Sequence, residues 1–362
     1  MRIAILGTRG VPANYGGFET FAEQLGARLV DRGHEVTVYG RSKYVRASLR
    51  SYRGMRLVRL PAPASKYLET VVHSLFSALH VVGHRYDLVY VCNSANVPAV
   101  ILLWLCRRRV VLNVDGLEWQ RAKWGPLGSA YYRVCAWTAA HLPVEIVTDA
   151  LVIQEYYQAT YGRETRFFPY GADLVRVENA DWLGTHGLDD RGYILYVSRL
   201  EPENNAHTVI EAYASVDSQL PLVIVGDAPY ASDYIASLQS TTDPRVRFLG
   251  SVYGEGYRVL QSHARVYIQA TEVGGTHPAL VEAMGYGNAI VANDVPEHRE
   301  TLADAGVYYR GAAGLAGTLQ AVLDDPARIE SLRASARDRA SRHYSWDGVA
   351  ADYEAWFREL VG

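Results

Sequence analysis

Residues able to bind a charged ligand follow the predicted strands in the second half of the chain. The apolar run 193–197 is typical of a buried strand, and Arg199 comes two residues after it. An arginine at such a position can pair with a diphosphate through two parallel hydrogen bonds. Because ligands of doubly wound α/β sheets bind at the carboxyl ends of the strands, we predict that Arg199 contacts phosphate.

Two further loops follow predicted strands. The segment 272–285 runs through a glycine turn into a helix, with Thr276 as the predicted N-cap and Pro278 in the first turn. The free amides and the dipole at such a helix start attract anions. The loop 248–253 follows another strand, and we expect its backbone to pair with the edge of a nucleotide base.

The first half of the chain opens with a strand, a glycine loop and a helix. Strand 2–6 leads into loop 7–17, where Gly16 and Gly17 let backbone amides at the helix start approach an anion. The spacing is not GxGxxG, so NAD binding loses support. By itself this loop is as typical of a structural turn as of a phosphate cradle.

Two series of strands and helices are needed to position these loops. The predicted strands are 2–6, 36–39, 88–92 and 110–114 in the first series and 193–197, 220–225, 246–249, 266–269 and 289–292 in the second. A length of 362 residues suits two domains of about 150 to 200 residues. We place them at 1–170 and 171–342, and we expect residues 343–362 to form a helix that packs across the domain junction.

Composition excludes several classes of protein. Hydrophobic residues make up 49% of the chain and charged residues 21%, as in a globular protein. The apolar run 97–106 is about half as long as a membrane-spanning helix, which predicts a buried helix instead. Cys92, Cys106 and Cys135 lack the spacing of a zinc site or a disulfide framework. With no signal segment recognised, we expect a cytoplasmic protein.

Charge is distributed unevenly along the chain. Residues 1–170 carry a formal net charge of +9 and residues 171–362 carry −12. The segment 41–68 contains eight basic residues and no acidic one, interleaved with Tyr44, Leu49, Tyr52 and Leu57. Such a segment is typical either of a solvated loop and helix face or of a surface that meets phosphates or an anionic membrane. No nucleic-acid motif accompanies it, so we expect no nucleic-acid partner.

The combination of these loops resembles the family-4 glycosyltransferases of the GT-B fold over nearly the whole chain. Four pieces resemble a bacterial rhamnosyltransferase-like branch acting in polysaccharide assembly: GTRGVPANYGGFE at 7–19, NVDGLEWQRAKW at 113–124, PYGAD at 169–173 and PENN at 202–205. The resemblance implies two Rossmann-like, doubly wound parallel-sheet domains facing a central cleft. It also implies sugar transfer from a nucleoside diphosphate donor with retention of configuration and without a metal or other cofactor.

The resemblance also assigns residues to the two substrates. The donor-binding set is Gly16, Gly17, Arg199, Asn204, Gly250, Tyr253, Gly274, Gly275, Thr276, His277, Leu280 and Glu282. Within it, Arg199 meets the diphosphate and Glu282 the ribose hydroxyls. The acceptor-binding set is Glu19, Asp115, Glu118 and Arg121, and the catalytic set is Asp115, Arg199 and Glu272. Asp115 before Gly116 is equally typical of a plain turn, and His277 of a structural histidine.

Two positions depart from the family pattern. The family places a lysine five residues after the arginine, where this chain has Asn204. It also separates two glutamates by seven residues, whereas nine lie between Glu272 and Glu282, and Gly274 stands where the first glutamate falls. These departures make a catalytically silent nucleotide-binding or membrane scaffold one alternative function. A nucleotide-sugar 2-epimerase is another, because such enzymes resemble the same two-domain fold.

The function predicted from the sequence is transfer of a sugar to a saccharide acceptor, with dTDP-L-rhamnose as one candidate donor. The acceptor is predicted to be linked to a lipid diphosphate, and the protein to associate peripherally with the inner face of the plasma membrane. In that case the arginines of segment 41–68, including Arg46, Arg50, Arg53 and Arg56, contact the lipid headgroups. The interleaved tyrosines and leucines then lie at headgroup depth.

Overall fold

The computed structural model describes residues 1–14, 16–65, 68–114, 116–121, 124–228 and 231–362. The chain divides into two units. Unit 1 comprises Met1–Tyr170 together with Trp346–Gly362, and unit 2 comprises Gly171–Ser345. The last segment of the sequence therefore belongs to the same unit as the first.

Unit 1 is built on an eight-stranded sheet. Its strands are β1 (Arg2–Leu6), β2 (Glu35–Arg41), β3 (Ser51–Tyr52), β4 (Met55–Leu60), β5 (Leu88–Cys92), β6 (Val110–Asn113), β7 (Glu145–Thr148) and β8 (Arg166–Phe167). The strand order is β3-β4-β2-β1-β5-β6-β7-β8, and every neighbouring pair is parallel except β3 with β4. In the centre, Ile3 pairs with Val36 of β2 and Leu88 of β5.

Helices cover both faces of this sheet, which is why its central strands are continuous apolar runs. The helices are α1 (Gly17–Asp31), α2 (Glu69–Val82), α3 (Val97–Leu105), α4 (Pro126–His141) and α5 (Leu151–Tyr161). Successive side chains of β1 point to opposite faces. Ile3 and Ile5 pack in the core with α1, whereas Ala4 and Leu6 pack in the core with α2, α3, α4 and α5.

Unit 2 repeats the plan with six strands, all parallel. The strands are β9 (Ile194–Val197), β10 (Leu222–Val225), β11 (Val246–Gly250), β12 (Val266–Gln269), β13 (Ala289–Asn293) and β14 (Val307–Tyr309), in the order β11-β10-β9-β12-β13-β14. The helices are α6 (Asp181–Gly184), α7 (Ala206–Tyr213), α8 (Ser232–Gln239), α9 (Gly254–His263), α10 (Pro278–Gly285), α11 (Pro296–Leu302), α12 (Gly311–Leu323) and α13 (Pro326–His343). The prediction of two doubly wound α/β domains is confirmed.

The final helix, α14 (Trp346–Val361), packs on unit 1 beside α1. Tyr353 and Phe357 are fully buried, and the Tyr353 hydroxyl lies 3.0 Å from that of Tyr90 on β5. The Phe21 ring of α1 stacks on Tyr90 at 5.2 Å and meets Tyr353 edge-on at 5.6 Å. The helix thus contributes aromatic side chains to the core of a unit whose other elements precede unit 2 in the sequence.

The basic segment 41–68 differs from its prediction as a loop and helix face. It contains the hairpin of β3 and β4, and β4 pairs in parallel with β2. Three of its apolar residues point inward, because Leu57 is buried and Leu49 and Tyr52 pack against the core. The prediction that these residues lie at headgroup depth is therefore wrong.

Residues 97–105 form the predicted helix, α3. No helix in the described part of the chain is both long and apolar enough to span a bilayer.

Candidate active site

Arg199 lies just beyond the carboxyl end of β9, as predicted. Its side chain remains partly exposed, and Nη1 lies 3.6 Å from Oε2 of Glu201. Glu201 did not stand out in the sequence, since nothing in the spacing distinguishes it from a solvated residue. The carboxylate restrains the guanidinium beside the strand end, where a diphosphate binds in folds of this type.

Asn204 has a structural position. It is buried, its side-chain amide donates to the Arg199 carbonyl at 2.7 Å, and its own carbonyl accepts from the Tyr196 hydroxyl at 2.6 Å. The side chain thus fixes the backbone conformation of the Arg199 loop. A direct contact with the donor stays a prediction.

The loops that follow the neighbouring strands β9 and β12 are joined by hydrogen bonds. The Glu272 amide donates to the Glu203 carbonyl at 3.1 Å, and the Asn205 side chain donates to the Ala270 carbonyl at 3.0 Å. Glu203 is buried, and its carboxylate has no hydrogen-bond partner among the described residues. Glu272 itself is exposed. The two loops therefore form one connected edge of the sheet.

The helix start after β12 falls one residue later than predicted. The N-cap of α10 is His277, in extended conformation, and not Thr276, which is buried in the preceding turn. The shift follows from Pro278, because proline at the first helical position pushes the residue before it out of the α region. His277 makes no side-chain capping bond to the helix, so its ring is used elsewhere.

The His277 ring occupies the space that a side chain at position 274 would need. A Cβ built on Gly274 would lie 2.7 Å from Cε1 and 3.3 Å from Nε2 of His277. Position 274 is where the family pattern places its first glutamate, so an imidazole takes up that volume in this chain. Glycine is required at position 274 because the His277 ring lies too close for a Cβ atom. A glutamate therefore cannot be accommodated there while the ring keeps this position.

A buried polar network holds the His277 ring. Nε2 of His277 lies 3.0 Å from the Thr271 hydroxyl, which also accepts from the Gln269 amide at 2.6 Å and contacts Nε2 of His298 at 3.1 Å. Nδ1 of His298 donates to the Asn293 carbonyl at 2.8 Å, and burial lowers the pKa of His298 to about 4, so this ring is neutral. No pattern in the sequence signals the network, since its members come from three separate segments.

Glu282 lies on α10, one turn beyond His277. The Tyr257 hydroxyl of α9 donates to its carboxylate at 2.5 Å, and the Gln261 side chain donates to Tyr257 at 3.0 Å. Burial raises the pKa of Glu282 to about 7, the Tyr257 hydrogen bond opposes this shift, and repulsion from Asp173 adds to it. The carboxyl group therefore changes protonation near neutral pH.

Four more donor-side predictions lie on the same unit, whereas Gly16 and Gly17 lie on unit 1. Gly250 ends β11 with φ of 65°, and Tyr253 is exposed at the start of α9. Gly275 is buried in the turn before α10, and Leu280 is fully buried in the core beneath that helix. Leu280 thus has a packing role in the structure, and its predicted donor contact is untested.

Unit 1 carries the predicted donor-binding residues Gly16 and Gly17 and the predicted acceptor-binding residue Glu19. Gly16 is the N-cap of α1 and Gly17 its first residue. Glu19, in the first turn, is buried and accepts from the Arg9 amide at 2.7 Å, while burial raises the pKa of its carboxyl group. The carboxylate therefore ties the glycine loop to the helix, whether or not it also meets a ligand.

The acceptor-side residues 118 and 121 form a buried ion pair. Nε of Arg121 lies 2.5 Å from Oε1 of Glu118, and the Trp124 indole donates to Oε2 at 3.4 Å. Asp115, the predicted catalytic carboxylate, lies outside the described residues. Within those residues no group of three or more histidine, cysteine, aspartate or glutamate side chains is placed to hold a metal ion.

Both units match known glycosyltransferase domains. Residues 16–171 match the family described as glycosyl transferase 4-like domain, and residues 181–341 match glycosyl transferases group 1. Among curated proteins, the phosphatidyl-myo-inositol mannosyltransferase of Mycobacterium tuberculosis is 25% identical, over 96% of this chain and 94% of its own length.

Solved structures share the fold over the full length of the chain. Sucrose-phosphate synthase from Thermosynechococcus elongatus superposes with a TM-score of 0.83 at 20% identity, covering 99% of this chain and 98% of that one. Anabaena HepE in complex with UDP-glucose gives a TM-score of 0.80 at 19% identity, with coverage of 99% and 100%. The fold class is GT-B.

The chain belongs to the group 1 glycosyltransferases of the GT4 type, and it is a hexosyltransferase. The narrower rhamnosyltransferase branch gains no support from these comparisons, because the curated relatives are named as mannosyltransferases. Enzymatic transfer is favoured over the epimerase and scaffold alternatives.

Proposed function

We propose that the protein transfers a hexose from a nucleoside diphosphate donor to a saccharide acceptor, with retention of configuration and without a metal ion. The observation that carries the proposal is that the loops of Arg199 and His277 follow neighbouring parallel strands and are joined by hydrogen bonds at the carboxyl edge of one sheet. Glu282 lies on the helix that begins directly after His277. Ligands of doubly wound sheets bind at that edge.

Each of these groups has a role suited to its chemistry. Arg199 pairs with the diphosphate and stabilises the charge that develops when it leaves, assisted by the backbone amides at the start of α10. Glu282 accepts hydrogen bonds from the ribose hydroxyls in its ionised form. His277, held through Nε2 by Thr271, takes the place of the absent glutamate beside the transferred sugar.

The acceptor is proposed to be a lipid-linked saccharide, met at the inner face of the plasma membrane. The name of the mycobacterial relative describes transfer to phosphatidyl-myo-inositol, a lipid. Membrane presentation of this kind requires a surface on the protein that meets the bilayer. It does not require a spanning helix.

The donor sugar is open to direct measurement. Mannose is favoured by the names of the curated relatives, UDP-glucose is bound in the HepE complex, and rhamnose follows from the sequence resemblance alone. A thermal-shift screen against GDP-mannose, UDP-glucose and dTDP-L-rhamnose with their free diphosphates identifies the base and the sugar, because selective binding stabilises the native state.

The decisive experiment is an assay of the selected donor with and without acceptor. We expect sugar transfer to a lipid-linked saccharide, with slow donor hydrolysis in its absence. Conversion of the donor to a 2-epimer without acceptor would contradict the proposal in favour of the epimerase. Binding of nucleotide with neither hydrolysis nor transfer would favour the scaffold.

A further inference from the structure

Helix α2 has an apolar outer face. The stripe consists of Leu68, at the N-cap, followed by Val72, Phe76 and Leu79 at helical spacing. Leu79 is 58% exposed, while Ala78 and Val81 face the core. A surface helix normally places polar residues on the side away from the core. The outer face of this helix is therefore apolar, whereas its buried face also contains polar side chains.

Helix α4 shows the same pattern. Its outer stripe consists of Leu127, Ala130, Val134 and Trp137, spaced by three, four and three residues. Leu127 is 89% exposed and Trp137 57%, and the inner face is made of Cys135, Ala136 and Ala139. The two stripes are regular, so they are not scattered surface residues of the ordinary kind.

Helix α3 connects the two stripes. It contacts both α2 and α4, and all three helices pack on the same face of the unit 1 sheet. Trp104 and Leu105 add two more exposed apolar side chains. Of the eleven large apolar side chains exposed among the described residues, eight lie on or next to these three helices. A concentration of this kind marks an interaction surface.

The charges on and directly after these helices are mostly positive, and the acidic exceptions beyond their ends are Asp87, paired with Arg2, and the exposed Glu145. Arg85, Arg107, Arg109 and Arg133 are exposed on or directly after them. The acidic residue of α2, Glu69, is buried and pairs with Arg41 at 3.3 Å, and α3 and α4 contain no acidic residue. The surface is thus apolar with a positive border.

A second copy of the chain fits this surface poorly. A two-fold dimer interface places the same patch against itself, so the arginines of one copy, which outnumber the acidic residues of the border, would mainly face those of the other. An anionic bilayer offers phosphates to the arginines and an apolar interior to the aliphatic side chains. Tryptophan suits its interface because the indole has an apolar body and a polar edge.

We infer that the outer faces of α2, α3 and α4 dock unit 1 on an anionic phospholipid bilayer. The inference rests on the proposed function in one respect, because that function takes place at a membrane. It replaces the apolar part of segment 41–68 as the inserting element, since Leu49, Tyr52 and Leu57 of that segment pack inward. Arg46, Arg50 and Arg53 are exposed and carry charge, but among the described residues of that segment before Leu68 no large apolar side chain is exposed beside them.

The test compares three variants in sedimentation with vesicles of phosphatidylcholine alone or mixed with phosphatidylglycerol. Leu79→Glu combined with Trp137→Glu removes the apolar anchors. Arg85→Gln with Arg107→Gln, Arg109→Gln and Arg133→Gln removes the charged border. Arg46→Gln with Arg50→Gln and Arg53→Gln is the matched control in the basic segment. All these positions are exposed, so unchanged circular dichroism and melting temperature are expected.

We expect the wild type to bind the anionic vesicles at low salt, and both helix variants to bind at least about tenfold more weakly. The control variant should bind within about twofold of the wild type, and added salt should weaken binding by screening. Absence of wild-type binding, or loss of binding only in the control variant, overturns the inference. Concentration-dependent dimerisation that disappears in the Leu79→Glu, Trp137→Glu variant assigns the surface to a second copy instead.

A separate readout keeps this inference distinct from the proposed enzymatic function. Donor binding and donor hydrolysis should be unchanged in both helix variants, because neither variant alters a residue of the donor-binding or catalytic set. Loss of vesicle binding with intact donor hydrolysis supports the docking surface. A wild type that binds vesicles but shows no donor chemistry refutes the proposed function alone.

Discussion

The two units share an architecture and differ in where their polar groups lie. Unit 2 gathers polar side chains at the carboxyl edge of its sheet, where Arg199, Thr271 and Glu282 are each hydrogen-bonded or paired. Unit 1 contains the buried ion pairs Arg41–Glu69 and Arg121–Glu118, and it exposes apolar side chains on three helices. The shared α/β architecture determines neither the position of the polar groups nor that of the exposed apolar ones. Function therefore depends on the residues at the strand ends and on the outer faces of the helices.

We expect the largest effect when helix α14 is removed, because the stability of unit 1 depends on it. Removing residues 346–362 deletes Trp346, Tyr353, Trp356 and Phe357 from the core. Each large aromatic lost from a core costs about 3 to 5 kcal/mol, and together they exceed the total stability of a typical domain. We expect unit 1 to unfold while unit 2 retains its amide protection, measured by hydrogen exchange with mass spectrometry.

Tyr353→Phe is the matched control for that deletion. It keeps the ring and removes only the hydroxyl bonded to Tyr90, so it should cost about 1 kcal/mol. Protection of unit 1 that survives the deletion would show that the helix is an accessory to this core.

The second prediction concerns the charge at the donor edge of unit 2. Arg199→Ala should weaken nucleoside diphosphate binding by about 2 to 4 kcal/mol, because no lysine stands at position 204 to share the charge. Arg199→Lys should recover part of the loss, and Arg46→Ala in unit 1 should have no effect. Unchanged affinity of Arg199→Ala in calorimetry would remove this residue from the site.

The third prediction follows from the raised pKa of Glu282. Between its ordinary pKa of 4.5 and about 7 the folded protein holds a proton that the unfolded chain releases, so its contribution to stability falls as pH rises through 7. Nucleotide binding needs the ionised carboxylate, so affinity should fall as pH drops below 7, up to about tenfold per unit of pH. Glu282→Gln should flatten this dependence in titrations across that range.

A fourth prediction tests the network behind His277. Thr271→Val keeps the shape and removes the hydroxyl bonded to Nε2. The activation free energy should rise by about 0.5 to 1.5 kcal/mol, which lowers kcat about two- to twelvefold with little change in donor KM. Thr271→Ser restores the hydroxyl and should recover most of the rate. An equal loss in both variants would indicate a packing defect instead.

The smallest expected effect is that of metal removal. Donor turnover should survive excess EDTA, because the described residues offer no carboxylate or histidine cluster for a divalent ion beside the diphosphate. Complete loss of turnover that magnesium or manganese restores would overturn metal independence.

The sequence predicted the parts of the molecule that depend on local patterns. The buried strand 266–269 coincides with β12, and Arg199 lies at the strand end where it was expected. Strand β4 was not predicted, because its buried residues Met55 and Leu57 lie among arginines in a strongly basic segment. The N-cap of α10 was misplaced by one residue because the effect of Pro278 on its predecessor outweighed the capping preference of threonine.

Contacts between distant segments could not be predicted from the sequence. Nothing in the spacing joins Tyr257 to Glu282 or Thr271 to His298. The first pair is set by how α9 packs against α10, and the second by how α11 lies against the loop after β12. The exposed stripes of α2 and α4 have a helical period that is visible in the sequence. Which side of each helix faces water is decided by the sheet, and only the structure shows it.

The return of α14 to unit 1 has a consequence for biosynthesis. Domains generally fold as units while the chain leaves the ribosome, with the first one synthesised folding first. Here Gly171–Ser345 is continuous and emerges in full before Trp346, so unit 2 can complete its core while unit 1 still lacks four of its aromatic side chains. The part of the protein that is translated first is therefore the part that finishes folding last.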